Sequence, residues 1–224
     1  MNIQQELFKN KDEKFAVFQP RIVATKMPVV GVRTPILRKI AKEISKDNVV
    51  KNNFLNDLPH KFFEENQIHG MTISLEKDFD YAITKIEEFL PYMDSWATTD
   101  QMNVRVFDKN MDKLLPKINE WIDIGKTFYV RFGMLNLMQH YFNTYEKIEY
   151  SCKKAVSIKT NEYYVKMMQA WLIATAVTKE FELGKQYIEK IEDFETKKMA
   201  IRKCLDSFRL TESQKQIIRQ INKW

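Results

Sequence analysis

The segment from Asp94 to Asp100, Asp-Ser-Trp-Ala-Thr-Thr-Asp, combines residue types that could act on a cationic substrate. Trp96 and Asp100 are four residues apart, so they lie on the same side of a helix if its first turn begins near Ser95. An indole face attracts positive charge, and a carboxylate stabilises that charge further. The same string also fits a structural role, in which an acidic N-cap and a tryptophan anchor the helix. The structural role is the commoner one, and the residues alone leave both open.

Two further candidates, Arg131 and Trp171, lie among apolar neighbours. An arginine in such a segment occupies a narrow polar face, or is partly buried beside a carboxylate or a phosphate. Exposure is the commoner outcome, and we expect it for Arg131 from the residues alone. Trp171 ends a strongly apolar stretch that begins at Tyr163, so the default expectation for its side chain is the core.

Basic residues cluster near both ends of the chain. The first cluster contains Arg33, Arg38, Lys39 and Lys42, and the second contains Lys197, Lys198, Arg202, Lys203 and Arg209. Lys198 and Arg202 are four apart, so they can face the phosphates of one groove together. Each cluster on its own is also explained by a solvated charged face.

The overall charge narrows the classes of partner. Lys and Arg number 36 against 30 Asp and Glu, which gives a formal net charge of +6. Such a surface attracts polyanions, with nucleic acid as the first expectation and an anionic membrane as the second. The sequence contains no apolar run long enough to span a membrane. The polar start, MNIQQELFKNKDEKF, lacks the apolar region of a signal peptide, which predicts a cytoplasmic protein.

Metal and thiol chemistry find little support in the sequence. The chain has two cysteines, Cys152 and Cys204, and three histidines, His60, His69 and His140. None of them forms a CxxC, an HExxH or another metal-binding spacing, so we expect no metal site. No cysteine lies close in sequence to a histidine that would activate it, and both thiols are expected to be buried and reduced.

The scarcity of turn residues predicts a mostly helical chain. Only 5 Gly and 6 Pro occur, too few for the frequent turns of a sandwich or barrel. Thr34-Pro35 is the clearest helix start, since Thr can cap the first turn and Pro fits its first position. An apolar stripe follows it, formed by Ile36, Leu37, Ile40, Ala41 and Ile44. Apolar periodicity predicts further helices at Lys61–Lys77, Phe79–Leu90, Thr98–Lys109, Met111–Ile124, Thr127–Tyr141, Tyr145–Ala155, Asn161–Thr178, Leu183–Ile191, Lys197–Ser207 and Glu212–Asn222.

These helices predict an all-α fold with a single domain over residues 1–224, because no Gly- or Pro-rich linker interrupts them. Antiparallel pairs recurring about every 35–45 residues are typical of HEAT-like helical repeats. Such an α-solenoid, or α-α superhelix, has a concave face built from successive repeats, and a basic concave face suits a duplex. A compact irregular helical bundle is the alternative.

Several segments together resemble the DNA alkylation repair family of the AlkD type. Pro28–Lys39 resembles the family's Gly-(Val/Ile)-x-Thr-Pro-x-x-Arg segment, and Trp96–Asp100 reproduces its Trp-x-x-x-Asp pattern. Arg131 matches the arginine of the following repeat, Tyr164–Trp171 resembles a helix carrying a lysine and a tryptophan, and Ala200–Arg209 resembles the closing segment. Four such segments in the right order, with Arg131 between the second and the third, are hard to obtain by chance.

The resemblance implies a stack of HEAT-like repeats and the release of N3- and N7-alkylated purines from double-stranded DNA, without metal or cofactor. It implies that Asp100 is the catalytic carboxylate, with Trp96 and Trp171 contacting the nucleotide near the lesion. It further implies a set of DNA contacts, namely Arg33, Arg38, Arg131, Lys166, Lys198 and Arg202. We expect a monomer. The aromatic residue that lines the family's site before Gly31 has no secure counterpart, and Phe18 is the candidate.

Two other functions fit the same fold and charge. A non-catalytic paralogue that binds distorted or branched DNA would need no functional carboxylate, whereas this chain carries both Trp96 and Asp100. A helical-repeat scaffold that binds peptides would show no steep dependence of duplex binding on salt.

Overall fold

The computed structural model describes residues 2–221, and these form fifteen α-helices, two short 3₁₀ segments and no β-strand. The α-helices in chain order are α1 (Ile3–Lys9), α2 (Glu13–Phe18), α3 (Pro20–Val23), α4 (Thr34–Ile44), α5 (Asn48–Asn56), α6 (Phe63–Ile73), α7 (Phe79–Phe89), α8 (Trp96–Thr99), α9 (Met111–Asp123), α10 (Thr127–His140), α11 (Tyr145–Ser157), α12 (Tyr163–Lys179), α13 (Phe181–Lys190), α14 (Phe194–Asp206) and α15 (Glu212–Gln220). The 3₁₀ segments are Leu90–Tyr92 and Arg105–Lys109. The predicted all-α class is confirmed.

Two compact units divide the chain, Met1–Asp112 and Lys113–Trp224. In the first, α4 packs against α6 and α6 against α8, while α5 and α7 follow α4 and α6 in the chain. In the second, α10 packs against α12, α12 against α14, and α11 against α13. This contact between every second helix is typical of stacked helix pairs, as in HEAT-like repeats. The prediction of a single domain over 1–224 stays a prediction.

Short polar side chains fix where many of the helices begin. The side-chain oxygens of Asn2, Asp12, Asp47, Asp78, Ser95, Thr144, Asp193 and Thr211 accept hydrogen bonds from the first turn of α1, α2, α5, α7, α8, α11, α14 and α15. The start of α4 differs by one residue from the prediction. Thr34 is the first helical residue and Arg33 is the N-cap, without a side-chain capping bond.

The predicted helix Thr98–Lys109 is wrong, because the chain leaves helical geometry after α8. The Thr99 hydroxyl donates to the Trp96 carbonyl (3.1 Å), and the Gln101 amide donates to the Ala97 carbonyl (2.8 Å). The Gln101 side chain therefore occupies the Ala97 carbonyl, which a continuing helix would pair with the Gln101 N–H, whereas the Trp96 carbonyl keeps its backbone bond to the Asp100 N–H (2.9 Å). The sequence analysis also missed α1, α2, α3 and α5. The other predicted helices are present with ends shifted by at most four residues, apart from Asn222, which lies outside the described residues.

The loop before α4 is held by the buried carboxylate of Glu64, in the first turn of α6. Its Oε1 accepts hydrogen bonds from the backbone N–H groups of Gly31 (2.6 Å) and Val32 (3.3 Å), and its Oε2 accepts from Val30 (3.0 Å). Three donors offset the cost of burying the carboxylate. Gly31 has φ +92°, a left-handed conformation that L side chains rarely adopt. Glu64 thus ties α6 to the segment that leads into α4.

Two buried histidines stack between two phenylalanine rings in the first unit. His60 Nε2 lies 2.9 Å from His69 Nδ1, so the N–H of one ring donates a hydrogen bond to the nitrogen of the other. The ring centroids of Phe54 and His60 are 4.7 Å apart, and those of His69 and Phe89 are 4.0 Å apart. Burial lowers the pKa of both histidines, and lowers that of His69 well below its usual range. The pair is therefore neutral at physiological pH.

Acid is expected to destabilise the protein through this histidine pair. The unfolded histidines bind protons below about pH 6.5, whereas the folded ones resist protonation, so the free energy of unfolding falls as the pH drops through that value. Each pKa unit of lowering corresponds to about 1.4 kcal/mol. Urea unfolding between about pH 7.5 and about pH 5.5 measures the loss. His69→Phe keeps an aromatic ring beside Phe89 and should reduce the loss. An equal loss in both proteins would contradict the assignment.

Both cysteines are buried free thiols, as predicted, and burial raises the pKa of Cys152 and of Cys204 to about 12. A thiol with such a pKa remains protonated at neutral pH and is a poor nucleophile.

Within residues 2–221, no helix combines the length and apolarity needed to cross a bilayer.

Candidate active site

The short helix α8 carries the Trp96 and Asp100 pair, and it begins at Trp96 rather than at Thr98, where a helix was predicted. Ser95 is the N-cap, and its hydroxyl oxygen accepts a hydrogen bond from the Ala97 N–H (3.2 Å). Trp96 is the first residue of the helix and Asp100 is its C-cap. The two side chains are therefore four residues apart on one helical turn.

Three consecutive residues fasten this helix to the turn at the end of α3 (residues 22–26), which we call the α3 turn. Asp94 Oδ2 accepts hydrogen bonds from the Thr25 hydroxyl (2.6 Å) and the Lys26 N–H (2.9 Å). The Ser95 hydroxyl donates to the Val23 carbonyl, and the Trp96 indole N–H donates to the Ile22 carbonyl (3.1 Å). Asp94 therefore anchors the helix from the position before its N-cap. The structural role considered in the sequence analysis instead assigned the N-cap itself to an acidic residue.

Trp96 is both an anchor and partly accessible. Its ring packs against a small apolar cluster of Val23, Phe63 and Ala97, and its side chain remains half-buried. Because its indole N–H is bonded to the main chain, the orientation of the ring is fixed. A fixed aromatic face beside a carboxylate can attract a cation without reorganising.

The carboxylate of Asp100 is held by its neighbour. The side chain of Thr99 is fully buried, and its single hydroxyl proton is shared between Asp100 Oδ1 (3.0 Å) and the Trp96 carbonyl (3.1 Å). Asp100 itself is half-buried at the end of α8. An oriented carboxylate can stabilise positive charge that develops on a bound substrate, or accept a proton from a water molecule.

Arg33 and Arg38 are the two predicted DNA contacts at the start of α4. Arg33 is bound to residues of α2, whereas Arg38 is exposed. Arg33 donates to Asp12 Oδ2 from Nε (3.0 Å) and Nη2 (2.9 Å), and its guanidinium lies 4.2 Å from the centre of the Phe15 ring. It therefore links α4 to α2. Arg38 is exposed, four residues into the helix.

In the second unit, Arg131 and Trp171 both differ from what the residues alone suggest. Arg131 is only 5% exposed, so the expected exposure is wrong. Its Nη1 donates to the Tyr164 carbonyl (2.8 Å), which compensates for part of the burial. Trp171 is half-buried on α12 rather than in the core, so part of its ring is accessible.

The remaining predicted DNA contacts lie on α12 and α14. Lys166 is 6% exposed, and its ammonium lies 2.9 Å from Glu195 Oε2 and 3.2 Å from Asp193 Oδ1. Two carboxylates therefore neutralise Lys166, and this arrangement does not favour a phosphate contact. Lys198 and Arg202 are exposed on α14, and Arg202 Nε lies 4.0 Å from Asp206. Their spacing on one helix places them on the same side.

Sequence reasoning missed Asp94, Thr99 and Glu64. Asp94 and Thr99 belong to the segment singled out for chemistry, and an acidic residue before a hydroxyl cap was the available signal. Nothing in the local pattern identifies Glu64, since its three partners lie 32 to 34 residues earlier. Within residues 2–221, no group of three His, Cys, Asp or Glu side chains is placed to hold a metal ion.

Comparison with known proteins gives one match that covers most of the chain. The family described as "DNA alkylation repair enzyme" matches residues 3–208 of the 224. The matched range covers most of both compact units and every residue of the candidate site described above. A comparison with curated proteins gave no match.

Proposed function

The chain belongs to the DNA alkylation repair enzyme family, and from this premise we propose that it is a DNA glycosylase acting on N3- and N7-alkylated purines in duplex DNA. Alkylation at either nitrogen puts a positive charge on the purine. The bond from N9 to the sugar C1′ then breaks with both electrons going to the base, which leaves as a neutral alkylpurine. The positive charge passes to the deoxyribose, which becomes oxocarbenium-like. Water adds to C1′ and loses a proton.

The observation that carries this proposal is the anchored turn bearing Trp96 and Asp100. The Thr99 hydroxyl orients the Asp100 carboxylate, and three neighbouring residues fasten the turn to the α3 turn. A carboxylate fixed in advance stabilises a developing cation without the cost of reorganising solvent. In the proposal, Asp100 faces the sugar, stabilises its charge and positions the attacking water. Trp96 adds aromatic attraction for the same charge.

The second unit supplies the proposed DNA contacts. Trp171 would pack against the sugar and backbone near the lesion, and Arg131 would grip a neighbouring phosphate while its Nη1 keeps the bond to the Tyr164 carbonyl. Lys198 and Arg202 would hold the flanking duplex.

The Lys198 and Arg202 contacts make a quantitative prediction. Lys198→Ala combined with Arg202→Ala should make the logarithmic salt dependence of duplex binding shallower by about 1.8, because each lost phosphate contact removes about 0.9. Fluorescence anisotropy of a labelled undamaged duplex across a salt series measures the slope. Lys9→Ala with Lys153→Ala is the matched control, since both lysines are exposed and paired with Glu6 and Glu149. A slope that falls equally in both double variants would contradict the assignment.

The decisive experiment is release of free base from methylated duplex DNA by the purified protein. Release of 7-methylguanine, detected by mass spectrometry, is the expected result. Duplex binding without release would instead favour the non-catalytic paralogue. A protein that does not bind duplex at all would favour the peptide-binding scaffold.

A further inference from the structure

A cavity of about 810 Å³ opens on the first unit beside the residue that follows Asp100. It is bordered by α4, by residues 74–77 after α6, and by the 3₁₀ segment Arg105–Lys109. Five cationic side chains line it, and we call it the basic groove: Arg38, Lys42, Lys77, Arg105 and Lys109. Its volume is in the range of pockets that enclose a small organic ligand.

The cations of the basic groove have no counter-charge of their own. All five are exposed, and within residues 2–221 none of them takes part in an ion pair or a side-chain hydrogen bond. The single acidic residue in the lining, Glu76, is already paired with Lys51 at 2.7 Å. Five uncompensated positive charges around one cavity produce a strong local attraction for anions.

The positive surface continues along α4, which indicates an anion with repeated charges. Arg38 and Lys42 are four residues apart on one side of this helix. Both residues also line a second, smaller cavity of about 440 Å³, to which Lys39 contributes as well. A single phosphate would need only one part of this surface. The phosphates of a nucleic-acid strand would follow all of it.

The rest of the lining suits a base rather than another phosphate. Leu75, which is 42% exposed, gives the groove its accessible apolar surface, and the buried Met71 and Ala41 lie behind it. The amides of Gln101 and Asn103 also line it, and amides of this kind recognise the edges of bases. Gln101 Nε2 donates to the Ala97 carbonyl (2.8 Å) and its Oε1 is buried without a hydrogen-bond partner, so the exposed Asn103 is the amide that a base can reach. A base in a duplex is stacked on both faces, so only an unpaired base could use this apolar surface.

We propose that the basic groove binds single-stranded DNA, with phosphates at its cations and an unpaired base against Leu75. The proposal goes beyond the glycosylase function and does not depend on it. The strand would leave the groove next to Asp100, since Gln101 is the adjacent residue. Binding of this kind would let the protein engage DNA whose strands have separated as well as intact duplex.

Anisotropy with a labelled oligothymidine and with a duplex of the same length tests the groove. Arg105→Ala combined with Lys109→Ala should weaken single-strand binding by at least about tenfold and make its salt slope shallower by about 1.4, at about 0.7 for each lost contact. Duplex binding should change much less. The control, Lys9→Ala with Lys46→Ala, removes two exposed lysines of the same unit that pair with Glu6 and Glu43.

A second variant tests the apolar part of the groove. Leu75→Ser should weaken single-strand binding several-fold without changing the salt slope, because it removes contact area and no charge. Single-strand affinity that is unchanged in both variants would overturn the proposal, as would equal losses in the control. Equal losses for duplex and single strand would also overturn it. Because undamaged DNA is used, these outcomes are independent of whether the protein releases 7-methylguanine.

Discussion

Asp100→Asn is expected to reduce 7-methylguanine release by about 100- to 1000-fold, the usual effect of removing one preorganised group that stabilises transition-state charge. The amide keeps the size of the side chain and can still bond the Thr99 hydroxyl, so α8 should retain its structure. The variant loses the negative charge that faces the sugar in the proposed mechanism. Affinity for duplex DNA should stay the same or rise slightly, since one negative charge near the phosphates is removed.

Asp80→Asn is the matched control for this prediction. Asp80 is exposed in the first turn of α7 in the same unit, so the change in net charge is identical. Single-turnover release from methylated duplex compares the wild-type protein with both variants, and binding is measured separately. If Asp100→Asn released base at the wild-type rate, the carboxylate would have no role in the chemistry.

Gly31→Ala is expected to lower the free energy of unfolding by about 3–4 kcal/mol. The backbone at Gly31 has φ +92°, and a Cβ there would lie 2.5 Å from the backbone of Ala16. The substitution therefore adds conformational strain to a steric conflict with main-chain atoms of α2 that cannot rotate away. Movement of the loop would also disturb the bonds to Glu64. Urea unfolding at neutral pH measures the loss, which is a large part of a typical domain stability of about 5–15 kcal/mol.

Gly125→Ala separates the two causes. Gly125 has φ +75°, and a Cβ there would meet no atom within 4 Å, so this variant carries the strain without the collision. It should lose only about 1–2 kcal/mol. A loss in Gly125→Ala as large as in Gly31→Ala would mean that backbone conformation alone accounts for both effects.

Local patterns predict those parts of the molecule whose causes are local. The start of α8 follows from Ser95, because a hydroxyl before an apolar residue is a common N-cap. The apolar stripe of α4 follows from 3.6-residue periodicity, and its members Leu37, Ile40, Ala41 and Ile44 are buried. The helices α1 to α3 contain only 4 to 7 residues, too few to establish a period.

Contacts between distant residues could not be predicted in this way. The carboxylate of Asp94 and the hydroxyl of Thr25 are 69 positions apart, and Arg131 and Tyr164 are 33 apart. In the sequence, Lys166 is a cation on an apolar helix. In the structure, its partners Asp193 and Glu195 lie at the start of α14. Periodicity describes which face of a helix is apolar, but not which remote group meets that face. The basic groove could not be predicted from the sequence either, because its cations come from three separate segments.

The hydrogen bonds that join α8 to the α3 turn depend on the residue types on one side and mostly on the backbone on the other. On the α8 side they require the side chains of Asp94, Ser95 and Trp96, whereas on the other side three of the four partners are main-chain atoms. Residues 22 and 23 can therefore change type in the course of evolution without loss of these bonds. A one-residue insertion or deletion there would shift every carbonyl out of register. The main-chain bonds of the turn are thus tolerant of substitution and intolerant of changes in length, and its spacing is the property that a redesign of the amino-terminal segment would have to preserve.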